Sequence, residues 1–252
     1  MDILQDKLLS ESPYSYAVCN PLIVLDPNGL TINFTDLLND DKRFAEDIIN
    51  NLSFITGLFL YFDEQGNLAY EKDSEGNPLT KGTGSLSAAN SIIDAINNTE
   101  TTVNVLPTEG ISQGEINGTS ITMGKGTTDA FMSGCTAQLD PNTIGYGMTF
   151  LHELAHTSLG FGVGDPGSGD WKGQVVVYVN TIRRELSGNV NGGSFGQRMT
   201  YKYFKRGSNP NTHENFYVIP FDKESLQTAR KIEAGIPGNY NFNNSKSVNF
   251  VK

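Results

Sequence analysis

Histidine is almost missing from this chain, with three residues in 252. Cysteine is rarer still: Cys19 and Cys135 are too few and too isolated for a disulfide framework or a zinc ribbon, and their spacing leaves a pairing between them open. Positive charge is also short. Against 28 Asp and Glu there are 18 Lys and Arg, a net charge of -10, so no basic stripe exists to neutralise phosphates and nucleic acid is disfavoured as a partner. No run approaches the ~20 apolar residues of a membrane span, and Met1 to Asp6 lack the basic start and apolar core of a signal peptide. The expectation is a soluble chain without a membrane partner.

What is plentiful is turn-forming. Glycine occurs 27 times and asparagine is frequent, which predicts tight turns and long loops around a modest sheet and a few helices, an α+β arrangement. At this length the chain can bury a real core, and beyond residue 30 no Pro-rich, Ser-rich or charged linker divides it. A helix is predicted over Asp41 to Leu52, a β-hairpin over Leu58 to Tyr70 turning at Gln65-Gly66-Asn67, and a helix over Ser85 to Ile96 capped by Ser85 or Ser87. Strands follow at Val103 to Leu106 and Thr119 to Met123, and a further helix at Gln174 to Leu186.

Two of the three histidines fall within His152-Glu153-Leu154-Ala155-His156, inside a stretch with no Lys or Arg between Lys125 and Lys172. Side chains four residues apart share a helix face, so the imidazoles of His152 and His156 can converge on one tetrahedral ion. Glu153, about 100° around the helix from His152, points beside that position, where a carboxylate can take a proton from water. Phe150, Leu151 and Leu154 give the same helix a face to bury. The plainer reading, two surface histidines beside an ordinary glutamate, leaves the uncharged flanks unexplained.

This HExxH arrangement resembles the zincin-type metallopeptidases. The resemblance implies a zincin-like fold, a small mixed sheet with an active-site helix and long Gly/Asn-rich loops. It also implies a Zn²⁺ cofactor, hydrolysis of peptide bonds with Glu153 as general base, and a protein or peptide substrate. In zincin-like proteases generally, a strand ahead of the metal helix runs antiparallel to the substrate, which would give the strand ending at Met123 a free edge for a peptide; simple core packing is the alternative.

The third metal ligand is open at this level. The helix is expected to end at Gly160, and the glycine-rich loop after it can double back, bringing Asp165, followed by Pro166, to the histidines. Metzincins place a glycine three residues after the second histidine and a ligand three further on; here Gly160 comes four residues on and Asp165 nine, which departs from that pattern. Asp170 on the same loop, Glu185 on the next helix and His213 in a later loop compete with Asp165. Tyr201 and Arg198 are candidates for stabilising an oxyanion, with Tyr201 the catalytic candidate beside Glu153; a core tyrosine bonded to backbone is the plainer reading.

The N-terminal stretch carries a second resemblance. Pro13, Tyr14, Tyr16, Asn20, Pro21, Asp26, Pro27 and Gly29 follow the spacing at the end of the Rhs (YD-repeat) associated core. It implies that residues 1–34 are the tail of that core and 35–252 a metallopeptidase toxin domain, the C-terminal piece of a larger exported protein, secreted or at the cell surface and acting inside a target cell. An immunity protein would be a further partner. Two other functions stay open: an Rhs-associated toxin of different chemistry, and a metal-stabilised binding module that cleaves nothing.

Overall fold

The computed structural model describes residues 31–166, 172–187, 195–242 and 244–251. The Rhs-like segment with Cys19 lies outside the described residues, as do Asp170 and Trp171. The residues just after that segment already belong to the fold. Ile32–Asn33 (β1) pair in parallel with Val103 and Asn104, and Phe34 is fully buried. The described fold therefore includes Ile32 and Phe34, whose side chains are hidden inside this core.

After a short helix α1 (Thr35–Asp40) comes α2 (Lys42–Thr56), whose first turn is capped by Asp41, its carboxylate accepting from the Phe44 N–H at 2.9 Å. Its apolar face of Phe44, Ile48, Ile49 and Leu52 is buried. The helix runs to Thr56, beyond the expected Leu52, because Ile55 extends the buried stripe; Gly57 ends it at φ 73°. The hairpin pairs β2 (Leu60–Phe62) with β3 (Leu68–Tyr70), and the Asp63 carboxylate accepts from the N–H groups of Gln65 and Asn67 across the turn. Ser85 caps α3 (Leu86–Ile96), accepting from Ala88 N–H at 3.1 Å.

Strands β4 (Val103–Pro107), β5 (Gln113–Gly114) and β6 (Ser120–Met123) join β1 in a four-stranded sheet of order β1-β4-β6-β5, in which only β5 runs antiparallel to its neighbour. The strand expected to offer a free edge, β6, is internal. Ile121 and Met123 alternate into the core and β5 covers the outer side, so the edge belongs to β5. Helix α4 (Lys125–Ser133), a 3-10 turn at Pro141–Thr143, α5 (Tyr146–His156) and α6 (Gly173–Ser187) follow. One core joins this sheet to α2, α3, α5 and α6, with Leu52, Ile92, Val105, Phe150, Leu154 and Val179 among its buried members.

A second sheet, β7 (Phe204–Ser208), β8 (Asn215–Pro220) and β9 (Ser247–Val251), is antiparallel throughout. Successive β8 residues face opposite sides. Val218 packs with Phe204 and with Ala229 of α7 (Lys223–Glu233), whereas Ile219 joins Leu139, Phe221 and Val248. The architecture is thus mixed α and β with small sheets, compatible with an α+β class.

Candidate metal centre

Helix α5 is pinned at its start by a close approach to α2. Asn51 accepts from Gly147 N–H at 2.8 Å, and a Cβ on Gly147 would stand 2.8 Å from the Leu52 nitrogen, so only glycine lets the helices meet here. Met148, Phe150, Leu151 and Leu154 are buried as the helical period requires. His152, Glu153 and His156 line a cleft of about 500 Å³.

The helix ends at His156, not at Gly160. Thr157 is extended, and its hydroxyl donates to the Leu154 carbonyl at 2.8 Å, closing the last turn before the glycines are reached. Asn117 N–H takes the His156 carbonyl at 2.9 Å and Phe161 N–H takes that of Ala155 at 2.8 Å, so the helix terminus is satisfied by the β5–β6 turn and by its own returning loop. That loop turns at Gly162, φ 64°, and carries Val163 and Asp165 back along the helix.

His152 Nε2 and His156 Nε2 are 3.3 Å apart, and Asp165 Oδ2 lies 3.4 Å from the first and 3.3 Å from the second. Donors held tetrahedrally at the ~2.0–2.1 Å bond lengths of zinc stand about 3.3–3.4 Å from one another, so the three atoms form one face of such a tetrahedron. The supporting bonds agree with ligation. Nδ1 of His156 lies 2.5 Å from the Val163 carbonyl, which can only accept; the proton is thereby placed on Nδ1 and the Nε2 lone pair is free. Among the described residues Asp165 Oδ1 is buried without a partner, a costly state that a divalent cation among these donors would relieve. The residues therefore fit a zinc ion.

Charge is distributed unevenly around these donors. Burial opposes ionisation of Asp165, but hydrogen bonds from His152 and His156 prevail and hold it well below the usual carboxylate range. For His156, burial opposes the charged form while Asp165 and the Val163 carbonyl favour it more strongly, and its pKa is raised. Glu153 is 8% exposed, and its Oε2 accepts from the Gly114 N–H at 2.8 Å. Burial pushes its pKa up, offset only in part by the histidines and that N–H. The Tyr201 hydroxyl donates to Asp165 Oδ2 and its pKa is raised, by burial first and by the carboxylate second. That bond replaces the backbone bond expected of a core tyrosine. Arg198 lines the same cleft, its guanidinium 4.5 Å from the centroid of the Tyr201 ring and donating to the Thr200 and Tyr201 carbonyls.

Of the other candidate ligands, Glu185 and His213 stand apart from this group. Glu185 lies at the start of α3, where its carboxylate accepts from the Ser85 and Ser87 hydroxyls and from Ser87 N–H. His213 is exposed in the β7–β8 turn with φ 59°. Asp170 lies outside the described residues. Three functional neighbours escaped the sequence reading: Val163, Gly114 and Arg183. Gly114 was open to detection, since glycine in a strand marks a close backbone approach, here to the Glu153 carbonyl; nothing local marks Val163.

With that geometry in hand, the comparisons give no name to the arrangement: no protein-family model matches the chain, and no curated protein and no solved structure matches it.

Proposed function

We propose that the chain is a zinc-dependent peptidase of zincin type. One observation carries this reading: three donor atoms at mutual distances of 3.3–3.4 Å, with a buried glutamate beside them on the same helix. Zinc held by His152, His156 and Asp165 would supply Lewis acidity, lowering the pKa of water from ~15.7 toward ~7 and polarising a carbonyl.

The chain's own residues supply the rest. Gly114 N–H anchors one oxygen of Glu153, leaving the other to take a proton from the attacking water and return it to the leaving amine. A raised pKa makes Glu153 a better base for that transfer than an exposed carboxylate. Ser112, Gln113 and Gly114 form the cleft wall at the edge of the sheet, and the exposed side chains of Ile111 and Ile116 flank them, which suits an extended peptide laid along β5. The Rhs-like spacing from Pro13 to Gly29 supports a wider proposal, that this peptidase is the effector portion of a larger exported protein with an immunity protein as partner.

The test is Glu153→Gln beside His152→Ala. The first should keep its zinc while peptide turnover falls by roughly 10²–10⁴-fold, and the second should lose both. Turnover at the wild-type rate in Glu153→Gln refutes the proton-transfer role. Purified protein that takes up no zinc refutes the metal site, and zinc-loaded protein that cuts no member of a broad peptide library points to a non-catalytic binding module.

A further inference from the structure

Arg183 carries a buried charge that the metal site does not require. It lies on α6 among Val179, Ile182 and Leu186, is 6% exposed, and lines the cleft. Its Nε donates to the Thr143 carbonyl at 2.9 Å, its Nη1 donates to Asn180 Oδ1 at 3.0 Å, and Phe221 supports it with the ring centroid 5.2 Å away. A guanidinium has five N–H donors, so among the described residues three are left over. Among the described residues no carboxylate forms an ion pair with it.

A second cation stands at the same cleft. Asn180 ties the two together, its Oδ1 accepting from the Arg198 backbone N–H at 2.8 Å and its Nδ2 donating to the Arg198 carbonyl at 2.9 Å. Burial, and after it the Arg198 charge, push the Arg183 pKa down to about 9, which still leaves a cation at neutral pH. Holding a buried guanidinium without a counter-ion is unfavourable, and here it happens in a chain of net charge -10 with acidic groups to choose from. The planar, forked donor set matches a carboxylate.

We propose that the Arg183 end of the cleft is a subsite for a carboxylate of the substrate, which makes the substrate class a peptide that presents a carboxylate near the cleaved bond. The carboxylate belongs either to an Asp or Glu side chain near the cleaved bond or to a free C-terminus. The inference rests on reading the cleft as a peptide site, and it deepens that reading.

Binding separates the two claims, because it needs no turnover. Zinc-loaded Glu153→Gln protein is titrated by NMR with N-acetylglutamate N-methylamide, with N-acetylalanine, and with N-acetylglutamine N-methylamide as the neutral isostere. At least one acid should bind ten-fold or more tighter than the isostere; the first acid reports a side-chain subsite and the second a C-terminal one. Adding Arg183→Met should reduce the preference to two-fold or less, while Arg183→Lys should keep part of it. Equal binding of both acids and the isostere overturns the proposal without any variant. A preference that survives Arg183→Met overturns it too, since the carboxylate would then be held elsewhere, for instance at the metal. A preference for an acid through Arg183 in the Glu153→Gln protein, beside zinc-loaded wild-type protein that cleaves no peptide, would keep the subsite and refute the peptidase.

Discussion

Asp165 Oδ2 stands 3.3 Å from His156 Nε2, although nine residues and a glycine-turned loop separate them in the chain. That contact favours Asp165 over Glu185 and His213 as the third ligand of the proposed zinc site. Asp165→Asn should therefore weaken zinc by more than the roughly 10–100-fold that loss of an outer partner brings. His213→Ala should leave zinc content unchanged. Metal analysis after dialysis against a graded chelator reads both, and full zinc retention in Asp165→Asn would return the third position to Asp170.

Tyr201 donates to the same Asp165 oxygen that faces the histidines, so in the proposed zinc site it would hold that ligand in place. Tyr201→Phe should lower zinc affinity by about ten-fold, and saturating zinc should restore turnover. Turnover that stays low in fully zinc-loaded Tyr201→Phe would instead assign the hydroxyl to the oxyanion, the role proposed from sequence.

Glu185 ties α6 to the N-terminus of α3 through Ser85 and Ser87. Burial would raise its pKa, but the Ser85 and Ser87 hydrogen bonds outweigh that and lower it. A carboxylate whose folded pKa is depressed contributes stability above its unfolded value, near 4.3, and loses it as the pH falls through the folded value. Glu185→Gln should cost about 1–2 kcal/mol at pH 7, with the gap from wild type closing below about pH 4 in urea titrations. Zinc content should not change.

Gly114 presses on the metal helix so closely that a Cβ there would overlap the Glu153 carbonyl oxygen. Gly114→Ala should push β5 away from α5, costing about 1–3 kcal/mol in chemical denaturation and disturbing the N–H that holds Glu153. An unchanged denaturation midpoint would mean that β5 does not rest on α5 as described.

Much of the fold was legible because local periodicity carries it. The apolar stripe of α2, the hairpin turn around Gly66, the Ser85 cap and the alternating strand at Ile121 and Met123 all stand close to where the sequence puts them. The misreadings share a cause. The α5 terminus was assigned to Gly160, but Thr157 caps the helix with its own hydroxyl, a competition among neighbouring acceptors that composition does not reveal. Of the two readings open for β6, an edge for a peptide or core packing, the structure has the packed one, and a two-residue strand such as β5 carries too little pattern to be seen in the sequence.

The chain's own order of residues was enough to put two imidazoles and a carboxylate on one turn of helix, since a 3.6-residue period needs no outside help to align positions 152 and 156. Only tertiary contacts brought Asp165 beside them, set Val163 against one ring, laid Gly114 on Glu153 and left Arg183 buried at the cleft without an acidic partner among the described residues. Those relationships join separate elements or close an irregular loop. They depend on how helices, strands and loops settle against one core, and no local repeat encodes that.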